Sequence, residues 1–227
     1  MYSMSRMIYV DNAATTRIYP EVLDKMMPFL TDQYGNPSSL YSFGQYARQA
    51  VDEARDTVAE CLGCRSDEVY FTSGGSESDN WAIRMAAHLM ADKGKKHIIS
   101  TAIEHHAVLH TLKALEKQGF EVTLLPVGQN GIVSAKDVRD AIRDDTALVT
   151  VMFANNEIGT IQPIAQIGEI CREKGVWFHT DAVQAVGHIP VDFAKMNIDM
   201  LSLSAHKFHG PKGVGALIIR RGIRFPS

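Results

Sequence analysis

The chain has 227 residues, 45% of them apolar and 22% charged, the composition of an ordinary globular protein with room for one large domain or slightly more. Its formal net charge is -3 and like charges do not run together, so neither a nucleic-acid surface nor a polybasic membrane patch is expected, and a small molecule is the expected partner. No signal-peptide pattern and no apolar run near the ~18 residues of a membrane span occur, which predicts a cytoplasmic chain, and an odd count of three cysteines predicts reduced thiols.

In chain order, residues 1–19 read as an extended arm, followed by helices over 20–29 and 44–62. Seven runs rich in β-branched or aromatic residues then predict strands over 68–72, 97–101, 121–127, 147–154, 176–181, 199–204 and 214–220. Between most of them lie helically spaced stretches at 78–90, 107–118, 134–143 and 164–174, the last closed by Lys174-Gly175, a helix-stop signal. Alternating strands and helices imply an α/β protein with a mostly parallel seven-stranded sheet. Ligands of such sheets sit outside the carboxyl ends of the strands, so the polar residues just after each apolar run are the candidates.

Three of these strand ends carry chemistry. The run Phe71 to Asn80 ends a strand, turns through Gly74-Gly75 and opens a helix whose bare amides suit an anion, with Ser76 as N-cap and anion contact. Capped turns of this kind often bind nothing, so the turn alone leaves both readings open. The strand 176–181 delivers Asp181, followed by Gln184; a carboxylate there can cap the next turn, or can pair with a cationic ring nitrogen on a bound ligand. Lys207 follows an apolar strand, lies among hydroxyls and precedes a Gly-Pro turn. Partial burial there would lower its pKa and free the amine for Schiff-base chemistry, a better account than a solvated surface charge.

Five blocks occur in order: Asp11-Asn12-Ala13-Ala14-Thr15-Thr16, Gly35-Asn36-Pro37-Ser38-Ser39, Ile103 to Leu109, Asn155 to Ile164, and Ser202 to Gly213 around the lysine. Together they resemble the cysteine desulfurases of the NifS/IscS type, within the class V aminotransferase-like family, over nearly the whole chain from Ile8. The resemblance implies the large domain of a fold-type-I enzyme that uses pyridoxal 5′-phosphate (PLP). It assigns residues 20–227 to that domain, incomplete at its C-terminal end, and residues 1–19 to an arm that belongs to the small domain of full-length relatives. The rest of the small domain, with the sulfur-accepting cysteine and a carboxylate-binding arginine, is expected to be missing, as in a truncated or split enzyme.

For the site, the resemblance implies Lys207 as the cofactor-holding amine and His105 as a ring-stacking residue that assists proton transfer. Asp181 would pair with the ring nitrogen and Gln184 with the phenolic oxygen. Gly75, Ser76, Ser204 and His206 would hold the phosphate, and Asn156, in preference to Asn155, would lie near the ring. L-cysteine or a related amino acid is the implied substrate, converted to L-alanine with sulfur transfer to an enzyme cysteine. A homodimer, a separately encoded C-terminal half and an iron–sulfur scaffold or other sulfur acceptor are the implied partners. The alternatives are a non-catalytic PLP-binding remnant, a selenocysteine lyase or an aminotransferase. Cys61 and Cys64 read as filler at a helix end, with redox or metal roles as the alternative, and Cys171 as packing. No metal site is expected, because Glu104, His105 and His106 lack companions at metal-ligand spacing.

Overall fold

The computed structural model describes residues 8–225; residues 1–7 of the expected arm lie outside them. Two helices come first, α1 (Pro20–Thr31) and α2 (Ser42–Leu62), followed by β1 (Val69–Thr72), α3 (Gly75–Ala91), β2 (His97–Thr101), α4 (His106–Glu116) and β3 (Glu121–Leu125). Then come α5 (Ala135–Ala141), β4 (Thr146–Thr150), α6 (Ile164–Lys174), β5 (Trp177–Asp181), β6 (Met200–Ser204) and β7 (Gly215–Ile219). Each of the seven expected strands and six expected helices is present. The strand expected over 147–154 stops at Thr150, although Val151 and Phe153 continue to donate backbone N–H groups to His179 and Asp181 of β5.

The strands form one sheet in the order β1-β7-β6-β5-β4-β2-β3. Only β7 runs antiparallel, to β1 on one side and β6 on the other; the remaining pairings are parallel. Because side chains alternate along a strand, adjacent apolar residues serve opposite faces. Ile99, Val149, Phe178, Leu201 and Ile218 face a cluster completed by α2, α5 and α6, and Ile98, Leu148, Met200 and Leu217 face one completed by α3 and α4. Burial on both faces explains why these strands read as continuous apolar runs.

Helix α6 stops at Gly175, whose φ of 64° places it in the left-handed region, while the Val176 N–H bonds back to the Cys171 carbonyl. Helix α1 is different: it has an apolar stripe yet buries no residue, and Leu23, Met27 and Leu30 stand exposed.

Candidate active site

Five parallel strands, β1, β2, β4, β5 and β6, end on the same edge of the sheet, and their following turns enclose a cavity of about 320 Å³. That volume lies at the lower end of small-molecule sites. Gly75 and Ser76 come from the turn after β1, His105 from that after β2, Asn156 from the segment after β4, Asp181 and Gln184 from the end of β5, and Ser204, His206 and Lys207 from the end of β6. All nine residues singled out from the sequence therefore border one space. Five more border it that the sequence did not point to: Ala13, Ala14, Asp79, Met152 and Val183.

Lys207 lies in a short 3-10 turn, Ala205–Lys207, that leaves β6. Its Nζ donates to the Ala13 carbonyl at 2.5 Å and to the Ala14 carbonyl at 3.0 Å. Burial holds its pKa below the usual lysine value, against the opposing pull of Asp181 and Asp11. The described part of the arm is stitched to this turn: Thr16 donates its N–H and its hydroxyl to the His206 carbonyl, and Tyr19 stacks on His209 with ring centroids 3.8 Å apart. These contacts use backbone carbonyls, which have no side-chain signature, and so the arm's part in the site was not legible in the sequence.

Asp181 is 5% exposed. One carboxylate oxygen accepts the Val183 N–H at 2.9 Å, so it does cap the following turn, and the rest of the carboxylate faces the cavity. Burial raises its pKa, opposed by that hydrogen bond and by His105 and Lys207. Gln184 Nε2 donates to the Ala13 carbonyl at 3.0 Å. His105 caps α4 by accepting the Ala107 N–H on Nδ1 at 3.1 Å, which leaves Nε2 as the ring position that carries the proton of the neutral imidazole. Asn155 is consumed by structure, donating to the Ile103 carbonyl and accepting from Glu157 and Ile158, whereas Asn156 borders the cavity.

The turn before α3 corrects one expectation. Gly74, not Ser76, is the N-cap, and α3 begins at Gly75. The helix starts earlier because Ser78 donates to the Gly74 carbonyl, leaving Ser76 in the first turn, where its side chain is free for the cavity. A Cβ on Gly75 would lie 2.5 Å from Val183 Cγ2, so only glycine lets this turn approach the end of β5. His206 adjoins it, with Nδ1 3.0 Å from Thr15 Oγ1.

Beneath the cavity lies a buried polar layer. His179 Nδ1 and Nε2 contact the Thr150 and Ser202 hydroxyls at 2.8 and 2.9 Å. Glu104 Oε1 accepts from the Thr101 hydroxyl at 2.6 Å and the Met152 N–H at 3.0 Å, and burial pushes its pKa up to about 8. The spacing of Ser76 and Asp79, three apart on α3, was the available signal for Asp79. Its burial depends on β5 and β6 packing beneath the helix, which spacing does not reveal.

None of the three cysteines borders the cavity. Cys61 is exposed, Cys64 is half-buried with its thiol pushed up to about 12 by burial and by Glu68, and burial raises Cys171. A redox Cys-x-x-Cys uses a lowered thiol pKa, and the raised Cys64 thiol runs against that role.

Comparison with known proteins identifies the family and the fold. The family model described as aminotransferase class-V matches residues 8–224. The chain is similar to a cysteine desulfurase IscS of Clostridium botulinum, 58% identical over 224 residues that make up 99% of this chain and 56% of the relative. It is equally similar to one of Methanosarcina thermophila, 58% identical over 97% of this chain and 54% of that protein. The chain thus spans little more than half the length of these curated relatives. Among solved structures, a NifS-like protein matches with a TM-score of 0.93 at 44% identity, over 96% of this chain and 60% of its own. A structure described as SspA in complex with cysteine matches with a TM-score of 0.92 at 44% identity, over 95% of this chain and 62% of its own. The fold is that of the large domain of fold-type-I enzymes, and the chain belongs to the class V aminotransferase family, whose members work with pyridoxal 5′-phosphate.

Proposed function

We propose that this chain is the cofactor-binding part of a PLP-dependent cysteine desulfurase. The observation that carries the reading is the meeting of Lys207, Asp181 and the N-terminus of α3 in one cavity, in a chain 58% identical to proteins named cysteine desulfurase. The donor set suits PLP. Asp181 is a buried carboxylate without a bonded cation among the described residues, which a protonated ring nitrogen would supply. The turn around Gly75 leaves no room for a Cβ, and the α3 amides, Ser76, Ser204 and His206 can receive a phosphate. Lys207 is an amine whose proton burial loosens.

When bound, PLP supplies an electron sink for the α-carbon of an amino acid. In this reading Lys207 would be the amine that holds the cofactor, and Asp181 would balance a protonated ring nitrogen. Gln184 would hydrogen-bond the ring's phenolic oxygen, Asn156 and His105 would line the ring's site, and His105 would hold or move a proton at Nε2. L-cysteine is the proposed substrate, in keeping with the similar structure named in complex with cysteine. We also propose that residues 20–227 form the large domain, that residues 1–19 group with a small domain in a whole enzyme, and that the whole enzyme is a dimer passing sulfur to an acceptor such as an iron–sulfur scaffold. A cytoplasmic setting is part of the same reading; no described helix is long and apolar enough to cross a membrane. The position of all three cysteines away from the cavity favours a second reading, a PLP-binding chain without desulfurase activity of its own.

The test is an absorbance spectrum of the purified protein with added PLP, then borohydride reduction and peptide mass spectrometry. A pyridoxyl group on Lys207 is expected. An adduct on another lysine, or none at saturating cofactor, would sink the reading.

A further inference from the structure

Asp79 is a carboxylic acid in the second turn of α3, 1% exposed, that borders the cavity floor. Among the described residues no lysine or arginine pairs with it. The one basic group within 4 Å of it among the described residues is the His179 imidazole, whose Nε2 lies 3.6 Å from Asp79 Oδ1. His179 is itself fully buried, with both ring nitrogens engaged by hydroxyls, and burial pushes its pKa down to about 3, so it brings no positive charge. Among the described residues Asp79 Oδ1 has no hydrogen-bond partner. Of the elements packed against α3, β6 offers only the Ser202 hydroxyl to Asp79, while the other titratable groups that act on it are carboxyls, Asp181 and Glu104. The basic groups of the cavity, Lys207 and His105, act on Asp181.

A dry site does not hold two neighbouring carboxylates without a cation for each; one of them keeps its proton. Asp181 is the better anion, since it accepts the Val183 N–H and faces Lys207 and His105. We propose that Asp79 is a positioning residue that stays protonated at neutral pH and so confines the negative charge of the cavity floor to Asp181. The use of that arrangement, a single anion where a ring nitrogen would arrive, rests on the proposed function; the protonation of Asp79 does not. Desolvation and the charges of Asp181 and Glu104 hold Asp79 well above the ordinary carboxylate range.

The test is infrared spectroscopy of the cofactor-free chain at pH 7, with and without carbon-13 labelling of aspartate. A protonated-carboxyl band that shifts on aspartate labelling and is lost in Asp79→Asn is expected. Absence of that band, or its survival in Asp79→Asn, overturns the proposal. Asp79→Leu, an apolar residue of similar shape, repeats the band test without the second N–H donor that an amide adds, and survival of the band there overturns the proposal as well. Thermal melts supply a second readout. An acid held protonated on folding adds stability that is present below its unfolded pKa and lost as pH rises through the folded one, so the melting point of Asp79→Asn should gain on that of the parent chain from pH 4 to pH 7. The opposite slope overturns the proposal. A chain that shows the band but forms no Lys207 adduct would sink the proposed function and leave the Asp79 assignment standing.

Discussion

Lys207 Nζ donates to the Ala13 carbonyl across 194 positions of sequence. In the cofactor-free chain the amine proposed to hold PLP is thus anchored to the arm, and this link must open before Lys207 can react. Conversion of Lys207 to methionine should abolish the borohydride-trapped adduct while leaving the sheet intact. The checks are mass spectrometry for the adduct and circular dichroism for the fold; an adduct that persists on a neighbouring lysine would show that the cavity does not single out this amine.

Asp181→Asn should preserve folding and weaken chemistry. An amide keeps a hydrogen-bond acceptor for Val183 but cannot balance a cationic ring nitrogen. Removing one preorganised electrostatic partner typically costs about 10²–10³ in rate. Exchange of the α-proton of L-alanine, followed by NMR in the chain complemented with a small domain, should slow by that order. Unchanged exchange would leave Asp181 only its turn-capping role.

Gly75→Ala should loosen PLP without unfolding the protein, because the added Cβ meets Val183 Cγ2 at 2.5 Å at the edge of the cavity and not within either apolar cluster. A weakening of about tenfold, or ~1.4 kcal/mol, is expected in a cofactor titration. Wild-type affinity would mean that the turn does not touch the phosphate.

Glu104 carries a pH signature. Its pKa is about 8 in the folded chain against an ordinary value of 4.5, so the folded state binds its proton more tightly than the unfolded state does. The stability this contributes is complete below about pH 4.5 and disappears as pH rises through about 8. Glu104→Gln should remove that decline, amounting to at most about 5 kcal/mol at ~1.4 kcal/mol per pH unit. Urea denaturation at pH 5 and pH 8.5 measures it; parallel pH profiles for the two proteins would contradict the assignment.

The cysteines predict both reactivity and its limits. Cys61 should label rapidly with a maleimide, Cys64 slowly, and Cys171 only on unfolding, in line with their exposure and with the raised thiols of Cys64 and Cys171. Since none borders the cavity, the 227-residue chain by itself should not sustain conversion of L-cysteine to alanine and bound persulfide. A nucleophile without orientation forgoes at least ~7 kcal/mol, or about 10⁵-fold in rate. Sustained alanine release abolished by Cys61→Ala would refute this.

The sequence by itself determined the strands and most helices, the parallel α/β class, and the strand-end residues from Gly75 to Lys207. Each of these rests on local information: a period of two or 3.6, a glycine stop such as Gly175, or a polar residue at the carboxyl end of an apolar run. Gly75, Ser76, Asp181, Gln184 and Lys207 were legible for that reason, even with the cap misplaced at Ser76, because helix starts depend on a few competing hydrogen bonds; His105, Asn156, Ser204 and His206 came instead from the resemblance to a known family. Tertiary structure decided what period and spacing do not encode. It placed antiparallel β7 between β1 and β6, left the apolar stripe of α1 uncovered, and laid the Ala13 and Ala14 carbonyls against Lys207. It also made Asp79, His179 and Glu104 a dry layer under the cavity, because the charge of a carboxyl depends on which neighbours exclude water from it, and those neighbours come from strands far apart in the chain.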